Sequence, residues 1–228
     1  MQLIKAALIE YGPLILAVVF GALLLRCTTL LQQNPKVRAW RISNIPGDVS
    51  EDDLKTSLEA LRCPKSREKR GASGKVSNIR QLSFVKISPR NSTATVTFWR
   101  TPFSLKNSLT EVRLLLLVAG REIEVVFDTD FYGMTTLYYP PDPAVDLVAV
   151  TGLAGHALGS WKSPGTTDVW IRDYLPADKL NARILTYGYD TTLVRSKSNS
   201  SIHDLAIGFL EALKSSRTET KVRFPHLM

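Results

Sequence analysis

Hydrophobic positions along the chain follow three patterns. From Leu3 to Leu25 they are almost continuous, interrupted by Lys5, Glu10 and Pro13, with an unbroken core from Leu14 to Leu25. Crossing a bilayer takes roughly 20 residues, so this stretch predicts a transmembrane helix. Between Val37 and Phe127 the apolar residues come in short runs separated by turn signals. From Asp146 onward they form compact blocks split by a glycine-rich loop, DLVAVTGLAGHALGSW, over Asp146–Trp161.

The middle region reads as a small α+β module. Val37 to Ile45 has strand character and stops at Pro46-Gly47. Ser50 then caps a helix, with Asp53 as the acid three residues on, Val49 placed to pack against Leu54, and Leu54, Leu58 and Leu61 on one face. Leu82 to Ser88 and Thr93 to Trp99 alternate as strands, leucine-rich Ser108 to Val118 predicts a second helix, and Glu122 to Phe127 a fourth strand. Asp130 to Pro143 lacks either period and is expected to be a linker.

The last third predicts a parallel β-α-β-α unit. Leu147 to Val150 is a continuous apolar strand of the kind buried on both faces. A helix capped by Thr167 or Asp168 and carrying Val169, Trp170, Ile171 and Tyr174 is expected next, then the buried strand Ala182 to Tyr187. An amphipathic helix from about Ser201 through Leu213 closes the unit. The expected fold class is therefore α/β. It comprises an anchor and flank over 1–31, the α+β module over 37–128, a linker over 129–144, the parallel unit over 145–217 and a divergent tail over 218–228.

Charge sharpens the picture. The chain carries a net charge of +8 over 228 residues, and basic residues crowd the stretch from Arg26 to Arg121. Arg26, Lys36, Arg38 and Arg41 follow the apolar segment, which by the positive-inside tendency places the remainder in the cytosol. An anionic lipid surface or a protein is the expected partner of the basic module. Cys27 and Cys63 have no metal-ligand spacing, which argues against a zinc site and a disulfide framework, and no cofactor is expected. Gly74-Lys75 is followed by Val76, so the basic loop after Pro64 is no phosphate-binding P-loop.

Two resemblances follow from these residues. The order β-α-β-β-α-β, with Ile42-Ser43-Asn44-Ile45-Pro46 and Ala94-Thr95-Val96-Thr97-Phe98, resembles an RNA-recognition motif. Its stacking positions are Arg41, Thr93 and Thr95, none aromatic, so nucleic acid is a disfavoured partner. Asp146–His156, Trp170–Pro176 and Ala182–Asp190 resemble the first half of the α/β-hydrolase domain in fungal proteins of the serine-active-site-containing family.

That second resemblance implies a lipase- or esterase-like ancestry and a membrane of the endoplasmic reticulum or mitochondrion. It also implies that Thr151, Gly152, Leu153, Ala154 and Gly155 are the remnant of an oxyanion loop. The chain has no G-x-S-x-G, and the resemblance stops after Arg217, before the nucleophile would come. Catalysis is not expected, and no catalytic residue is assigned; His156 lies in the wrong part of the chain to be the base of such an enzyme. A membrane-associated scaffold working through the basic module is the alternative.

Overall fold

The computed structural model describes residues 38–64, 77–106, 110–152, 155–178, 181–190 and 202–220. The apolar amino-terminal segment, the basic loop from Lys65, the backbone of Leu153 and Ala154, and Ser201 lie outside them. Among the described residues no helix is long and apolar enough to cross a membrane. The expected α/β class is corrected. Among the described residues eight strands form two sheets in which every pairing but one is antiparallel. The described chain divides into two compact units, with the boundary along the sequence between Thr129 and Asp130.

The first unit holds β1 (Ala39–Pro46), α1 (Glu51–Glu59), β2 (Ile79–Lys86), β3 (Asn91–Phe98), α2 (Phe103–Lys106), β4 (Glu111–Val118) and β5 (Arg121–Asp128). Its sheet order is β2-β3-β1-β5-β4. One sheet face is apolar: Trp40 and Ile42 on β1, Ala94, Val96 and Phe98 on β3, and Val125 and Phe127 on β5 are buried with Leu54 and Leu58 of α1. Trp40 meets Phe127 edge-on, with ring centroids 6.5 Å apart. The start of α1 follows from the sequence: the Asp53 N–H donates to Ser50 Oγ at 3.1 Å, the Ser50 hydroxyl donates back to the Asp53 carboxylate at 2.6 Å, and Val49 is buried in the same core as Leu54.

The helix expected over Ser108 to Val118 is instead β4. Leucine has high helix propensity, but EVRLLLLV also satisfies a period of two: Leu116 and Val118 are buried and Val112 and Leu114 pack on the core, while Arg113, Leu115 and Leu117 point the other way. Ala119 and Gly120, at φ 50° and 80°, join β4 to β5 as a two-residue hairpin turn of the left-handed kind that matches strand twist. Tertiary pairing thus overrides propensity, and the second helix of the β-α-β-β-α-β order shrinks to the four residues of α2.

The second unit contains β6 (Gly133–Tyr138), β7 (Val145–Val150), α3 (Trp170–Asp173), β8 (Ala182–Gly188) and α4 (Ile202–Thr220). Its sheet order is β6-β8-β7. Strand β8, buried along its whole length, pairs in parallel with β7 and antiparallel with β6. The expected linker therefore supplies a strand. Its pattern was obscured because Thr135 and Thr136 are both buried and the ladder shifts register between Thr136 and Tyr138. The expected helix around Trp170 is a single turn with Val169 at its N-cap position, neither Thr167 nor Asp168 capping it; Asp173 accepts from the Val169 N–H at 2.7 Å. Thr218 and the two residues after it, the start of the expected tail, continue α4, and the rest of that tail lies outside the described residues.

Candidate functional site

The loop after β7 is held by its own polar groups. Thr151, buried at the strand end, shares a 2.7 Å hydroxyl contact with Ser160, and Ser160 Oγ accepts the His156 N–H at 3.0 Å. His156 Nδ1 accepts two backbone N–H groups, from Leu158 at 3.1 Å and Gly159 at 2.8 Å. An acceptor Nδ1 leaves the neutral ring proton on Nε2. The ring stands edge-on to Phe131, centroids 5.6 Å apart, and so serves as a peg around which the loop folds. Tyr189 donates its hydroxyl to the Thr151 carbonyl at 2.9 Å.

A Cβ on Gly155 would overlap Thr151 Oγ1, so this glycine is required by close approach. Gly155 donates its N–H to the Gly152 carbonyl at 3.1 Å, which turns that donor inward and away from any bound oxyanion. Of the five expected loop positions, Thr151, Gly152 and Gly155 are thus tied into one turn, and Leu153 and Ala154 lie outside the described residues.

At the other end of β7 a charged cluster is sealed inside the unit. Arg183 donates Nε and Nη2 to the two carboxylate oxygens of Asp146 at 2.7 and 2.9 Å, both side chains fully buried. Arg217 of α4 adds a 3.0 Å contact to Asp146, and Arg183 Nη1 reaches the Ser216 carbonyl at 3.2 Å. This arrangement locks the end of α4 to the sheet.

The first unit has two surfaces of interest. On the sheet face away from α1, register places Arg41 beside Thr95, with Thr93 and Thr97 in the same row. Arg41 Nε binds Asp128 at 2.6 Å across the β1–β5 pair, and the threonines are buried. The three positions read as vacated stacking sites therefore come together, and no aromatic ring among them offers a base a platform.

The second surface is the sheet end where β1 and β2 begin and β3 finishes. Phe98 is in the core, so strand alternation sends Trp99 outward, where it is 63% exposed. Arg80 stacks its guanidinium 4.7 Å from the Trp99 ring centre. Phe103 is 55% exposed, and its backbone N–H donates to the Arg62 carbonyl at 2.9 Å. Asn78 clamps the same corner, donating to the Arg100 carbonyl at 2.7 Å and accepting the Arg100 N–H at 3.0 Å.

Arg62, Arg100 and Lys106 are exposed around these two rings. The acidic first turn of α1, Glu51-Asp52-Asp53, starts just past the opposite end of β1. Sequence reading missed this patch. Its signal was there in Phe98-Trp99-Arg100-Thr101-Pro102-Phe103, two rings flanked by cations with a proline that ends the strand.

Among the described residues no group of His, Cys, Asp and Glu could hold a metal ion. Scans against family models, curated proteins and solved structures find none that matches this chain.

Proposed function

We propose that the unit over residues 38–129 is a non-catalytic docking module that seats its Trp99 end on an anionic membrane surface. The observation that carries this reading is the pair of exposed rings, Trp99 and Phe103, set among Arg62, Arg80, Arg100 and Lys106. Indole rings settle at the headgroup level of a bilayer, and each nearby cation gains about 1 kcal/mol from an anionic leaflet. The described chain enters the module at this same end, through Arg38 and Ala39, with the twelve residues 26–37 between it and the close of the apolar segment at Leu25. In this reading that segment spans the membrane, endoplasmic reticulum or mitochondrial, and the module lies on its cytosolic side. The second unit, hydrolase-like in three sequence motifs, works without catalysis.

The experiment uses the full chain in nanodiscs made with brominated acyl chains, either neutral phosphatidylcholine or a mixture with phosphatidylserine. Quenching of Trp99, isolated by difference from a Trp99→Phe variant, should appear in the anionic discs and fade with salt. Quenching that ignores both lipid charge and salt would overturn the reading, and complete protection of Trp99 in every disc would turn attention to a protein partner.

A further inference from the structure

We propose that the outer edge of β4 pairs with the β4 edge of a second copy of this chain, antiparallel, with Leu115 on the two-fold axis. Strand β4 ends the five-stranded sheet, and no described strand lies beyond it. Its hydrogen-bond phase is fixed by the Thr129 N–H donating to the Thr110 carbonyl at 3.0 Å and by the two-residue turn at Ala119-Gly120. Counting from Thr110 in steps of two, Val112, Leu114, Leu116 and Val118 direct their backbone groups to β5. Arg113, Leu115 and Leu117 direct theirs outward.

The same residues carry the exposed side chains. Leu115 is 67% and Leu117 66% exposed, side by side on the face away from α1. Native edges are ordinarily blunted by lysine, proline, a bulge or a covering element. This one carries charge only at Glu111 and Arg113, has neither lysine nor proline, and its ladder to β5 runs without a register shift from Glu111 to Val118. An eight-residue, leucine-rich edge of this kind is built to be paired.

Register and charge select the occupant. A closed two-fold contact uses one patch twice. Strands related by a two-fold axis lying along them would bring outward-facing residues level with one another, whereas a parallel ladder needs them staggered, so the closed arrangement is antiparallel. Centring it on Leu115 sets Leu115 against its own copy and Arg113 against Leu117 of the second copy. Leu117 is the cross-strand neighbour of Glu122. Each Arg113, which lies 3.3 Å from Glu124 and 3.7 Å from Glu111 of its own chain, then also reaches over a leucine toward a Glu122 of the other copy, two complementary contacts from a single register. Centring on Leu114 would instead place Glu111 against Leu117 beside Glu122, gathering like charge. Glu111, Glu122 and Glu124 around the leucines also make this edge a poor match for an anionic lipid surface.

The pairing stands apart from the lipid reading. Its axis is perpendicular to the sheet, so the Trp99 ends of the two copies face opposite ways, and one bilayer seats the Trp99 end of only one copy of a pair at a time.

The test uses the full chain in detergent micelles. Sedimentation velocity, corrected for bound detergent, should give twice the chain mass of 25.4 kDa, falling to one chain mass in Leu115→Lys/Leu117→Lys. Both positions are exposed, so an unchanged circular dichroism spectrum and urea midpoint identify the loss as one of pairing. Under mild oxidation Leu115→Cys should form an intermolecular disulfide at least tenfold faster than Thr56→Cys, a control on the exposed face of α1. A wild-type chain that stays at one mass over the accessible concentrations overturns the proposal, whether the edge then takes another protein's strand or detergent. A dimer that persists in the double-lysine variant, or equal disulfide rates at 115 and 56, overturns it too.

Discussion

Asp146 and Arg183 are direct neighbours on the parallel pair β7–β8 and exchange two hydrogen bonds, of 2.7 and 2.9 Å, with both side chains sealed from solvent. Burial pushes the Asp146 pKa up, but the hydrogen bonds and charge of Arg183, and then of Arg217, outweigh it and hold the carboxyl below its ordinary value of 3.8. A carboxyl depressed in the folded state contributes stability above its unfolded pKa and loses it as pH falls through the folded one. Unfolding free energy measured in urea should therefore drop below about pH 4, and Asp146→Asn should flatten that part of the profile. Arg183→Met should cost about 3 kcal/mol at neutral pH, because it strands a buried carboxylate with one remaining partner. A cost under about 1 kcal/mol would mean the cluster is not held as described.

Gly188 closes the same sheet at its other end. It pairs with Gly133, and a Cβ there would overlap the Phe131 carbonyl and come within 3.1 Å of Ala157 Cβ. Phe131 is fully buried at a φ of 57°, a conformation its neighbours must enforce. Gly188→Ala should destabilise by about 1–3 kcal/mol in the same urea titration. Gly165→Ala, strained at a φ of 75° but with open space around it, should cost only about 1 kcal/mol.

These two features show what the sequence could and could not reveal. The run Leu147–Val150 identifies a buried strand by its unbroken apolar character, and Ala182–Tyr187 does so despite Arg183 and Thr186, whose polar groups are buried and bonded inside the unit. Ser50 and Asp53 mark the start of α1 for an equally local reason. Strand β4 was misread because a leucine run satisfies helical and extended periods alike; the deciding residues, Ala119 and Gly120, act through a turn. Strand β6 was missed because its buried threonines look polar. The glycine loop, which the hydrolase resemblance implies to be an oxyanion-loop remnant, has a local bonding pattern, set by His156 and Ser160, that turns its described residues on themselves. The Trp99 patch lay in adjacent residues whose divergence is visible only once Phe98 is known to be in the core.

Ser50 offers a clean check on the local physics. Replacing Ser50 with alanine removes the acceptor for the Asp53 N–H and the donor to its carboxylate. The loss should be about 1 kcal/mol, and Ser50→Asn should recover most of it. Hydrogen exchange should place the added opening in α1 rather than across the whole unit.

His156 separates a structural peg from a catalytic base. His156→Asn can still accept one of the N–H groups at Leu158 and Gly159, whereas His156→Ala can accept neither. The alanine variant should lose about 1–3 kcal/mol through unsatisfied donors. Esterase turnover of a short-chain ester should remain at buffer background in wild type and variant alike. Turnover that disappears with His156 would reverse this assignment.

Arg100 and Lys106 measure how far the Trp99 end depends on charge. Both are exposed and neither forms part of the core, so converting each to glutamine should leave the urea midpoint unchanged. Each cation near an anionic leaflet is worth about 1 kcal/mol, or roughly fivefold in association. The double variant should therefore need a several-fold higher phosphatidylserine fraction for the same Trp99 quenching. Its half-maximal salt should also fall, since screening acts over about 10 Å at 0.1 M. Phe103→Ser should weaken quenching at every lipid composition while leaving the salt dependence intact, because it removes buried apolar area rather than charge. If all three substitutions shift the salt profile equally, the patch is acting as one electrostatic surface and its rings contribute nothing of their own.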